Sequence, residues 1–172
     1  RLEGKRSFVW LARQMIDGPE AENLPSGIGR VVEMTRAYPM GSIAGQLIGY
    51  TNIDQSGIEG IERARDGLLS GASGEMSSRV NAKGQPIGDL GVVESLPEDG
   101  ADLTLTIDSV VQSIAEEELE AAVAHFRAIN GIAIVTNPKT GDILAMANVP
   151  TVDPNAFGDF ARWKHRNRGV TD

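Results

Sequence analysis

Apolar residues along this chain follow two spacings, and the places where one gives way to the other order its elements. Over residues 1–17, Phe8, Leu11, Ala12 and Met15 keep a helical spacing that Gly18-Pro19 ends. This predicts a short amphipathic helix packing Trp10 or Phe8 on the rest of the domain. Its basic residues Arg1, Lys5, Arg6 and Arg13 would also suit a helix lying on a membrane surface. Residues 20–29 read as loop, and Val31, Val32 and Met34 among polar neighbours predict a strand over 28–37.

The stretch from Arg36 to Glu62 organises the rest of the chain. Pro39 fixes its own φ and holds Tyr38 extended, and Gly41 permits a turn, so an extended segment must stop there. Ser42 then stands where a helix N-cap is wanted, ahead of Ile43, Ala44, Leu47 and Ile48 on one apolar face. Gly57 to Gly71 predicts a second helix, with Ile58, Ile61, Ala64 and Leu68 or Leu69 inward. Arg36 and Glu62 each lie beside residues expected to be buried, and a charge near a core needs a partner. Their pairing as a structural clamp is one reading; two solvated surface charges is the other. Alternation over 74–81 and 86–94, with Asn81-Ala82-Lys83-Gly84 between, predicts a β-hairpin.

Leu96-Pro97-Glu98-Asp99-Gly100 is a polar breaker and marks a boundary. Beyond it Leu103–Ile107 predicts a strand, and Asp108 or Ser109 can cap a long helix, Ser109 with Gln112 making a capping box. Val111, Ile114, Ala115, Leu119, Ala122, Val123 and Phe126 form its apolar face, leaving Glu116, Glu117, Glu118 and Glu120 outward. Residues 131–136 and 142–147 are nearly all apolar, as expected of strands covered on both faces. Asn137–Gly141 joins them in a tight turn.

Composition narrows the chemistry. A net charge of −8 over 172 residues argues against a nucleic-acid partner. With no cysteine, disulfides and thiolate metal sites are out of reach, and His125 and His165 lack ligand spacing, so no zinc site is expected. No window approaches the roughly 20 apolar residues of a membrane helix. The glycines match neither a dinucleotide nor a phosphate-loop pattern and serve turns.

The order R-x-Y-P-x-G (Arg36, Tyr38, Pro39, Gly41) then G-x-x-G-x-E (Gly57, Gly60, Glu62), with LIGYTNIDQSG between, resembles the non-catalytic domain of class B penicillin-binding proteins. These are membrane-anchored peptidoglycan D,D-transpeptidases, and the wording most resembles their division-type (septal) branch. The likeness continues through LTID, the long helix, GIAIVTNPKTGDILAMANVP, DPNAF and Arg166-Asn167-Arg168. It implies an α+β chain: a pedestal (dimerisation-type) domain over 1–97, then the first helix and hairpin of a transpeptidase domain over 98–172. The implied activity is cross-linking of stem peptides through a serine ester, the serine being the β-lactam target. No metal or organic cofactor is implied, and the implied partners are nascent peptidoglycan and division proteins, including a membrane glycosyltransferase. The implied place is the extracytoplasmic side of the membrane, with a single anchor upstream of Arg1. An interaction module docking division partners is the alternative.

That chemistry needs S-x-x-K, S-x-N and a K-T-G strand. The sequence contains neither S-x-x-K nor S-x-N, and no catalytic residue is assigned. Lys139-Thr140-Gly141 matches K-T-G in letters, but Asn137-Pro138 before it and Asp142 after it make a turn. The resemblance places the nucleophile motif shortly after Asp172, with Arg166, Asn167 and Arg168 bracing it. The cluster Arg162, Lys164, Arg166 and Arg168 could also draw anionic polymers. Two strands of a larger sheet would leave an apolar edge, so residues 101–172 alone are expected to associate or be protease-sensitive.

Overall fold

The computed structural model describes residues 9, 11–13, 27–31, 33–77 and 92–171. The chain forms two compact units, 1–36 and 37–172. In the first, the Arg13 guanidinium donates to the Glu33 carboxylate, with Nη2 2.9 Å from Oε1. The helix expected over 1–17 lies mostly outside the described residues, and residues 9 and 11–13 carry no helical turn. The described residues of 28–37 form no strand, correcting that expectation. Val31 and Met34 are 61% and 77% exposed, so these two side chains bury nothing that would select a pleated register.

The second unit opens with a turn closed by the Gly41 amide donating to the Tyr38 carbonyl (3.0 Å). Ser42 does not cap the next helix. Helix α1, Gly45–Ile48, begins after Ala44, whose φ of 55° is left-handed, and no side chain caps it. The expected helix over 57–71 divides into α2, Gly60–Ala64, and α3, Asp66–Leu69, because Arg65 leaves helical geometry (φ −125°, ψ 20°). Gly60 is where α2 meets α1. It has φ +61°, and a Cβ there would lie 2.6 Å from the Gly49 nitrogen and the Leu47 carbonyl oxygen, so both conformation and space demand glycine.

Strands β1, Glu75–Ser77, and β2, Val92–Ser95, pair antiparallel as the hairpin reading expected. The turn assigned to Asn81–Gly84 lies outside the described residues. An antiparallel bridge between Ala72 and Glu98 carries the chain back to the α2–α3 region, and Ala101 donates to the Leu68 carbonyl.

Helix α4, Ser109–Phe126, is capped by Asp108, whose carboxylate accepts from the Val110 and Val111 amides. The alternative capping box does not form: Gln112 is turned fully into the protein. Strands β3, Gly131–Thr136, and β4, Ile143–Val149, form an antiparallel pair packed on α4. The joining turn is the one expected: Asn137 and Asp142 close it (2.8 Å), Thr140 Oγ1 donates to the Asp142 carboxylate, and Lys139-Thr140-Gly141 is no strand.

Three further expectations change. Leu103–Ile107 is not a strand; it runs beside β4 held by Thr106 Oγ1 donating to the Ile143 carbonyl (2.7 Å) and the Asp108 amide to that of Leu144 (2.9 Å). A side-chain bond there stands where a ladder bond would be. Glu116 does not face outward but is buried, while Ile114 and Phe126 are 56% and 77% exposed. Finally, the strands are not equally covered. Residues 145–149 of β4 are buried, whereas Ile132 and Ile134 of β3 are 41% and 47% exposed. A small apolar cleft of about 140 Å³, lined by Leu47, Ile61, Leu105, Ile107, Ile143 and Met146 among others, lies between α1, α2 and β4.

Candidate functional site

The chemistry-bearing side chains of the second unit converge on the outer edge of β4. A strand without a neighbour exposes amides and carbonyls that must find partners, and buried ones cannot use water. Gln112 supplies them. Its Oε1 accepts the Met146 amide at 2.7 Å and its Nε2 donates to the Met146 carbonyl at 3.2 Å, so the side-chain amide imitates an adjoining strand for one residue. The same Nε2 donates to Glu116 Oε1, one helical turn on, at 2.6 Å. Glu116 Oε1 also accepts the amide of Ala44 at 2.9 Å. A left-handed alanine costs about 1–2 kcal/mol, and this bond holds it there. Two polar residues of α4 thereby fasten the motif turn to the hairpin.

A second set of bonds fastens that turn to the irregular segment after β4. A Cβ on Gly45 would sit 1.9 Å from the Val152 carbonyl oxygen, so the two backbones touch directly. Buried Gln46 donates from Nε2 to the carbonyls of Pro150 (2.6 Å) and Lys164 (3.2 Å), bridging both ends of the segment. The Tyr38 amide donates to Asn155 Oδ1 (3.0 Å) and Asn155 Nδ2 returns a bond to the Tyr38 carbonyl (2.9 Å). His165, buried, sets its ring edge-on to Tyr50, centroids 5.1 Å apart, and its Nε2 lies 3.2 Å from the Phe160 carbonyl oxygen.

The residues expected from sequence take separate places. Tyr38 takes part twice, since its hydroxyl also accepts the Thr51 amide (3.1 Å). Pro39 and Gly41 form the turn. Gly57 bridges to Thr51 and donates to Asp66 Oδ1 (2.7 Å), and Gly60 seats α2 on the Leu47–Gly49 backbone. Glu62 is buried in α2, at 5% exposure, and Arg36 ends the first unit with its side chain exposed.

Arg166, Asn167 and Arg168 lead into the last helix, α5, Arg168–Thr171. Asn148 Oδ1 accepts the Arg168 amide (3.0 Å) and its Nδ2 donates to Asn167 Oδ1 (3.2 Å), which in turn accepts the Gly169 amide (3.1 Å). Arg166 donates to Thr171, from Nε to Oγ1 and from Nη2 to the carbonyl, both at 2.7 Å.

The bridging roles of Gln46, Gln112, Glu116, Asn148 and Asn155 escaped the sequence reading. The available signal was a polar residue where the period calls for an apolar one, as at Asn148 within ILAMANV. No group of acidic or histidine side chains suited to a metal occurs among the described residues.

Known proteins match this arrangement. Residues 14–105 fit the penicillin-binding protein dimerisation domain. Escherichia coli (strain K12) peptidoglycan D,D-transpeptidase FtsI is 38% identical over 172 residues, 98% of this chain and 29% of that protein. The chain therefore spans under a third of that curated relative's length. A peptidoglycan synthetase structure from Bifidobacterium adolescentis is similar at TM-score 0.60 and 32% identity, over 68% of this chain and 21% of that one. Penicillin-binding protein 3 from Mycobacterium, solved with aztreonam, is similar at TM-score 0.57 and 30% identity, over 69% and 23%. With the family's dimerisation domain matching more than half of its residues, this chain belongs to the class B penicillin-binding proteins.

Proposed function

We propose that this chain is the scaffold of a peptidoglycan D,D-transpeptidase that cross-links stem peptides in septal wall synthesis and is acylated by β-lactams. The supporting observation is the docking of the motif turn, through Ala44, Gly45 and Gln46, against α4 and the segment leading to α5. A scaffold built this way presents the residues after α5 from a fixed base. The reacting serine and its lysine would lie beyond Asp172, since the sequence has no S-x-x-K. Division proteins, a membrane glycosyltransferase, a single membrane anchor and an extracytoplasmic location belong to the same proposal. Among the described residues no helix is long and apolar enough to cross a membrane.

Fluorescent penicillin labelling tests the reading. The full-length protein is expected to carry one covalent label, lost when its S-x-x-K serine is replaced by alanine, and residues 1–172 none. A full-length protein that takes no label, or labelled residues 1–172, would reject it.

A further inference from the structure

Helix α5 has four residues, too few to persist by its own hydrogen bonds, because nucleation is unfavourable and short helices are marginal in water. Its position must come from outside, and the bonds that supply it are specific. At its start the Arg168 amide is taken by Asn148 Oδ1, from the buried end of β4, and the Gly169 amide by Asn167 Oδ1. Asn148 Nδ2 donates to that same Asn167 oxygen, which fixes the orientation of both amide groups. Asn167 Nδ2 faces Met146 Sδ at 3.4 Å. At its end Arg166 folds over the helix and donates to the hydroxyl and carbonyl of Thr171.

We infer that Asn148 is a positioning residue for acylation. It ties α5 to the strand most deeply buried in the unit, and Arg166 sets the direction in which the chain leaves Thr171. The inference rests on the transpeptidase reading, in which the reacting serine comes after α5. A buried asparagine suits the task better than an apolar residue because it must accept from one neighbour while donating to another. Asn148→Asp keeps shape and acceptor but places an oxygen where Nδ2 donates. Rotating the Asn167 amide would mend that contact, yet it would turn a donor towards the Gly169 amide. With the carboxylate ionised no arrangement satisfies both, so α5 must shift, and displacement of a reacting group by about 1 Å can cost on the order of 100-fold in rate.

The test uses the full-length protein and a fluorescent penicillin, reading acylation rate and labelled fraction separately. Damage to the fold lowers the fraction labelled, whereas misplacement slows the rate of a fully labelled population. For Asn148→Asp the expected result is a rate lowered roughly 10- to 100-fold at a wild-type labelled fraction. A wild-type rate at full labelling overturns the inference. If that variant fails to fold, Arg166→Lys decides, because it is a conservative change outside the core that removes the paired bonds to Thr171. A slower rate at full labelling supports the cradle, and an unchanged rate overturns it. Wild-type protein that never labels would instead sink the transpeptidase reading.

Discussion

The two strands of the central hairpin are nearly interchangeable in composition, GIAIVT against ILAMANV, yet residues 145–149 of β4 are buried while β3 leaves Ile132, Ile134 and Val135 exposed. The difference arises at their outer edges. Beyond β4 stand Thr106, Asp108 and Gln112, which answer its carbonyls and amides one by one. Among the described residues β3 pairs only with β4. Covering an edge with side chains thus does more than remove unsatisfied groups. Through Glu116 the same contacts reach Ala44, so the edge that is closed is also the one joined to the family's motif turn.

The sharpest way to break this asymmetry is to remove Gln112. In Gln112→Ala, the Met146 amide and carbonyl and the Glu116 carboxylate lose partners in a dry interior, where each unmet group costs about 1–3 kcal/mol. A loss of about 3–5 kcal/mol in urea melting is expected, and a loss below about 1 kcal/mol would mean the edge is satisfied in another way. Gly45→Ala tests the docked turn at a second point. Its methyl would meet the Val152 carbonyl oxygen, with an expected cost of about 1–3 kcal/mol by melting and a smaller labelled fraction in the full-length protein. On the open strand, Ile134→Lys should change stability by less than about 1 kcal/mol, since the side chain is already half-exposed. Its effect should appear in sedimentation: residues 1–172 associate with concentration through β3, and the lysine suppresses this. A wild-type chain that stays monomeric at high concentration would show that the β3 edge is protected.

The sequence was informative where periodicity or turn chemistry decides the outcome locally. Helix α4, with Asp108 as its cap, the β3–β4 hairpin and its Asn137–Asp142 turn are all set by residues close in sequence. The motifs shared with penicillin-binding proteins were legible for the same reason, as short strings with fixed order. The role of polar residues facing inward could not be read. Glu116 stands in an acidic run that suits a solvated face, and its bonds to the Ala44 amide, 72 positions away, and to Gln112 draw it in. Gln112 likewise finds Met146 at a separation of 34. Leu103–Ile107 has strand composition, but its course beside β4 is set by Thr106 and Asp108. Ser42 has the chemistry of a cap, yet the left-handed Ala44 delays the start of α1 by two residues. Each miss is a case of a distant partner overriding a local preference.

The central claim is that the motif turn and the β4 edge open as one body, joined through Glu116 and Gln112. Native-state hydrogen exchange at the amides of Ala44 and Met146 tests it most directly, because each donates to a side-chain oxygen of this pair. Both amides should be slow, with the same denaturant dependence, and Glu116→Ala should speed exchange at Ala44 most. Free-chain exchange at Ala44 while Met146 stays protected would contradict the account.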